Sequence, residues 1–124
     1  MTTLRATSPV DALGELVAGP PDATQANRWR WSVRSQMSGV RELLEHDAFL
    51  PENGALAPRH GAALRERATL LRRLSALGPQ VLESPDVDAV RLELIRLLGD
   101  VRHHLQRRRD LAWDDVQQEL GGSE

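Results

Sequence analysis

Between Val87 and Leu105 apolar residues stand at Val87, Val90, Leu94, Leu97, Leu98, Val101 and Leu105, every third or fourth position without interruption. An α-helix brings the same face round every 3.6 residues, whereas a strand alternates every two, so this spacing makes one continuous apolar stripe on a helix. The same spacing recurs at Trp29, Val33, Met37, Val40 and Leu44, and Leu64, Leu71 and Leu74 share one helical face at steps of seven and three. No segment alternates with a period of two, which leaves little room for a sheet. The expected architecture is all-α, an up-and-down bundle of three long helices plus a short N-terminal helix.

The punctuation agrees with this order. Ser8-Pro9-Val10-Asp11 has the form of an N-cap followed by proline at the first helical position, and opens a short helix through Leu13, Leu16 and Val17. AGPPDATQ (18–25) closes it, and the first long helix is expected from about Thr24 to Asp47. AFLPENGALAP (48–58) is a loop, and the second long helix should run from about Pro58 to Leu77, stopped by Gly78-Pro79. Ser84-Pro85-Asp86 is a start signal for the third, whose pattern runs on to Leu120. Connections of roughly seven to eleven residues set neighbouring helices antiparallel.

The chain has 124 residues, enough for one domain with a modest core: 1–22 for the short helix and linker, and 110–124 as an acidic C-terminal extension. A net charge of −2 gives no electrostatic support for nucleic acid or an anionic membrane. All 16 basic residues are arginine, and from Asp110 onward five acids (Asp110, Asp114, Asp115, Glu119, Glu124) follow with no base. The absence of cysteine excludes disulfides, thiol nucleophiles and cysteine-ligated metals. No apolar run approaches the ~20 residues of a membrane span, and the N-terminus lacks a basic segment followed by an apolar one. A cytoplasmic protein is expected.

The stretch VRHHLQRRRD (101–110) interrupts the leucine-rich pattern with two histidines and three arginines. On a helical wheel His104 lies at the edge of the Leu97–Val101 stripe and His103 points away. His60 falls with Leu64 and Leu71, and Asp47 continues the Val40–Leu44 stripe, while His46 points outward. Antiparallel order brings Asp47, His60 and His104 to one end of the bundle, with Asp100 a turn below His104 and Glu93 farther along the same flank. Such a set can bind a divalent metal, relay a proton, form a hydrogen-bonded structural layer or line a small-ligand pocket.

Arg67 falls on the second stripe and requires an acid or a route to water. Arg107, Arg108 and Arg109 suit a phosphate or an acidic partner, or neutralise the acidic tail. Trp31, nearly opposite Val33, is either covered by the short helix or exposed for a partner; cover by Val10, Leu13 and Val17 is expected. A last helix continuous to Leu120 would be ~50 Å long at 1.5 Å per residue. Leu105, Arg108, Leu111, Trp113, Val116 and Leu120 then form an interface for a second copy of the chain or another protein, unless the loop around Phe49 and Leu50 covers them or the helix bends near Asp110.

The last helix also resembles that of small bacterial hemerythrin-like (HHE cation-binding) proteins. The residues that carry the resemblance are His104, the triplet Arg107-Arg108-Arg109, Asp110-Leu111-Ala112-Trp113 and the ending Glu119-Leu120-Gly121-Gly122. The resemblance implies a helical bundle with a non-haem di-iron centre used in oxygen binding, redox or stress sensing. The chain departs from it in having four histidines and no His-x-x-x-Glu in the last helix: Arg108 follows His104 by four positions, and Arg107 follows His103. A degenerate domain without cofactor is therefore expected, non-enzymatic and acting in protein interaction or regulation. The alternative is a metal protein using His60, His104, Asp47, Asp100 and Glu93 for non-haem iron or another divalent ion. No nucleophile stands in a G-x-S-x-G turn, so a hydrolase is not expected.

Overall fold

The computed structural model describes residues 8–46 and 58–122, the side chains at 58–60, 115 and 118–122 excepted. It contains four helices: α1 (Pro9–Val17), α2 (Ala26–Glu45), α3 (Pro58–Glu83) and α4 (Val87–Gly122). The fold is an all-α bundle. Each helix packs on the next, and α1 closes the ring against α4.

Contacts along the helices show that neighbours are antiparallel. Pro9 lies against Gly39, while Leu16, farther along α1, meets Trp29 nearer the start of α2. Arg30 reaches the end of α3 and Arg41 reaches back to Ser75. Arg73 pairs with Asp100, and Glu66, earlier in α3, pairs with His104 and Arg107 later in α4. A core of Val10, Leu13, Val17, Trp29, Val33, Met37, Val40, Leu44, Leu70, Leu74, Leu77, Val81, Val90, Leu94, Leu97, Leu98 and Val101 joins all four.

The ends of the helices are satisfied by side chains. Ser8 Oγ accepts from the Asp11 amide at 3.1 Å, and Asp86 Oδ1 accepts from the Ala89 amide at 3.0 Å, so both sequence start signals act as N-caps. At the end of α1, the Trp29 indole donates to the Leu16 carbonyl at 3.0 Å and Arg91 donates to Val17 O at 3.2 Å. Arg30 donates to Val81 O at 2.9 Å and to Ser84 O at 2.5 Å, closing α3. Each such bond pairs a carbonyl that has no partner within its own helix.

Three expectations are revised. First, α3 passes through Gly78-Pro79 and continues to Glu83. Proline here removes one backbone bond and costs about 3 kcal/mol. Burial of Leu77 and of fully buried Val81 offsets it, at about 1.5–3 kcal/mol for each side chain. Among the described residues no glycine has a positive φ, so Gly78 is not a left-handed cap. Second, the buried stripe of α3 is Ala63, Leu70, Leu74, Leu77 and Val81, which leaves Leu64 and Leu71 half-buried on its flank.

Third, Trp31 is 60% exposed; α1 covers Trp29 instead, because the indole N–H of Trp29 has the Leu16 carbonyl to pair with. As its pattern indicated, α4 is one helix of 36 residues, unbroken at Asp110. From the Glu66–Arg107 pair, the antiparallel course of α3 brings its first turn level with the turn of α4 around Trp113. The longer α3 thus runs beside much of the segment of α4 that follows His104. No helix among the described residues is long and apolar enough to cross a membrane.

Candidate functional site

His104 stands three residues after Val101 and seven after Leu97, both buried, and its side chain is completely enclosed. His103, one position on, is exposed. On α3, Glu66 lies between buried Ala63 and Leu70, three before and four after it, on the flank that meets α4. The two helices set Glu66 Oε1 2.6 Å from His104 Nδ1, and the other carboxylate oxygen, Oε2, accepts from Arg107 Nη2.

A carboxylate only accepts hydrogen bonds, so His104 Nδ1 carries the hydrogen. In the neutral ring Nε2 is then a lone pair. That nitrogen is buried and has no hydrogen-bond partner among the described residues. Burial raises the pKa of the Glu66 carboxyl. The hydrogen bonds of His104 and Arg107, with the Arg107 and His104 charges, outweigh this and hold it below the ordinary value of 4.5. Glu66 therefore stays ionised and fixes the orientation of the imidazole. Chemically, the arrangement can accept a proton at Nε2 or offer its lone pair to one further atom.

The residues expected at this end fall as follows. His60 lies in the first turn of α3, its side chain outside the described residues, as is Asp47 altogether. Asp100 is on the α3-facing side of α4, but its carboxylate binds Arg73 at 2.7 Å. Glu93 binds Arg96 at 2.8 Å on an exposed surface. Among the described residues, no three of His, Cys, Asp or Glu are gathered to hold a metal, and His104 Nε2 is buried without a hydrogen-bond partner. His46 is exposed, with Nδ1 3.1 Å from the Glu42 carbonyl.

Glu66 was missed because the wheel of α3 had been centred on Leu64 and Leu71. Centred on Ala63 and Leu70, the same wheel puts Glu66 beside the buried stripe, facing α4. The arginine triplet divides three ways: Arg107 crosses to Glu66, Arg109 donates to Gln106 at 2.9 Å, and Arg108 is fully buried. Arg108 is thus not presented to a partner, and Leu105 packs against the core. Of the interface residues, Leu111 is half-buried, Trp113 is 63% and Val116 45% exposed, and the side chain of Leu120 lies outside the described residues.

Comparison of the chain with protein-family models, with curated proteins and with solved structures finds no match.

Proposed function

We propose that this is a non-enzymatic helical-bundle protein that works by protein interaction, its first partner being a second copy joined through the terminal half of α4. One observation carries the reading. Trp113 and Val116 are exposed three residues apart on α4, and so on one side of it. They lie on the flank that α1 occupies lower down, where Arg91 binds the end of α1 and Arg102 binds Asp11 near its start. α1 starts level with the turn following Arg102, and beyond that point it no longer covers α4.

Charge favours an antiparallel pairing of two such helices. Exposed Arg107 and Arg109 precede exposed Asp110 and Asp114 along α4. A twofold axis near Leu111 sets the basic turn of one copy against the acidic turn of the other, with the two Trp113 side chains near the axis. The test is sedimentation equilibrium with wild type and Trp113→Glu. Wild type is expected to dimerise at micromolar concentration and the variant to weaken the dimer about a hundredfold, as loss of an aromatic anchor does. A wild type that stays monomeric at high micromolar concentration removes the proposal.

A second reading is favoured by the free Nε2 of His104. In a reduced hemerythrin-like domain this nitrogen is one ligand to non-haem iron or another divalent ion; His60, six residues before Glu66 and so ~9 Å farther along α3 at 1.5 Å per residue, joins it with Asp47 only if the start of α3 shifts toward His104. Asp100 and Glu93 join them only by leaving Arg73 and Arg96. Elemental analysis of protein purified with iron, zinc and manganese present decides: stoichiometric metal lost in His104→Ala and His60→Ala supports it, and metal-free wild type refutes it.

A further inference from the structure

A cleft of about 460 Å³ opens between α2 and α3, lined by Arg34, Met37, Ser38, Arg41, Leu74, Ser75, Gly78 and Pro79. In a chain with more acids than bases, this lining holds two arginines and no carboxylate. Met37 and Leu74, nearly buried, give it an apolar floor.

The arginines are placed by the helices around them. Arg34 lies so close across α3 that a Cβ on Gly78 would come 3.2 Å from its Nε, and the guanidinium would have to give by a few tenths of an ångström. No carboxylate among the described residues pairs with Arg34. Arg41 donates to Ser75 Oγ, which leaves the Ser75 hydroxyl hydrogen free to point into the cleft, and its contact with Glu45 is long at 3.8 Å. Ser38 gives its own hydrogen to the Ser35 carbonyl at 2.7 Å. The free donors are thus those of Arg34, part of Arg41 and Ser75. All suit an oxyanion, and a planar guanidinium holds carboxylate or phosphate by paired hydrogen bonds.

We propose that this cleft binds a small molecule with an oxyanion head, seated on Arg34, Arg41 and Ser75, and a short apolar body over Met37 and Leu74. The site is independent of the α4 interface and of the His104 end.

The experiment titrates full-length ¹⁵N-labelled protein with hexanoate, hexyl phosphate and hexan-1-ol, following the Gly78 amide and the arginine Nε–H resonances. Either anion is expected to shift Arg34, Arg41 and Gly78 at millimolar concentration, and whichever binds more tightly identifies the head group. Hexan-1-ol is expected to leave the arginine resonances in place. Arg34→Gln should weaken anion binding about tenfold, the effect of losing a charge-assisted pair. Gly78→Ala should weaken it by displacing Arg34, and Arg96→Gln, on another exposed surface, should not change it. The proposal is overturned if neither anion shifts the cleft. Equal shifts with hexan-1-ol, or an equal loss in Arg34→Gln and Arg96→Gln, also overturn it.

Discussion

Glu66 is the residue on which one end of the bundle turns, since its carboxylate holds both the enclosed His104 ring and Arg107. Its pKa in the folded chain lies below 4.5. The unfolded chain therefore takes up a proton at this residue before the folded one does, so the stability it contributes is fully present above about pH 4.5 and is lost as pH falls through the lower, folded value. Because Glu66 is partly open to solvent, Glu66→Gln is expected to cost only about 1 kcal/mol at neutral pH in urea unfolding. The difference between wild type and variant should narrow below pH 4.5; a difference unchanged down to pH 3 contradicts the assignment. The inward course of His104 and the outward course of His103 were legible from Leu97 and Val101, because α4 keeps its face without interruption. Glu66 was not, since in α3 the choice between Leu70 and Leu71 as the central residue depends on where α4 lies.

At the scale of the elements, local signals that satisfy backbone groups were reliable. Ser8 and Asp86 cap α1 and α4 as their sequences indicated. The stop signal at Gly78-Pro79 was not obeyed, because α2 packs against the continuing turns and Arg30 supplies the donors that end them. Pro79 is therefore a local cost carried by tertiary packing. Pro79→Ala restores the amide facing the Ser75 carbonyl and is expected to stabilise the chain by about 1–3 kcal/mol, measured by thermal or urea unfolding. A destabilised variant would show that α3 depends on the proline to shape its surface. Trp29 and Trp31 make the parallel case on α2. Both are aromatic and two residues apart, so they lie on different faces, and Trp29 is enclosed with its indole paired to α1.

For the whole molecule, the decisive proportion is that α1 has 9 residues and α4 has 36. A helix of nine residues is only ~13 Å long at 1.5 Å per residue, so it shields one stretch of α4 and leaves the rest to other contacts. Leu13, fully buried in the shielded stretch, should cost about 2–4 kcal/mol when replaced by alanine. Val116→Ala, on the uncovered flank, should change unfolding of the monomer by no more than about 0.5 kcal/mol. Urea unfolding of both at a concentration below dimerisation checks the contrast, and equal losses would mean that Val116 is enclosed within the monomer. The all-α class, the order of the helices, their antiparallel course and the inward turn of His104 were determined by the sequence, because periodicity and capping are set within a few residues along the chain. The rotation of α3, its passage through Pro79, the Glu66–His104–Arg107 contact, the burial of Arg108 and the cleft around Arg34 were decided by the tertiary structure. Each depends on groups brought together from separate helices, and on packing energies larger than the local preferences they override.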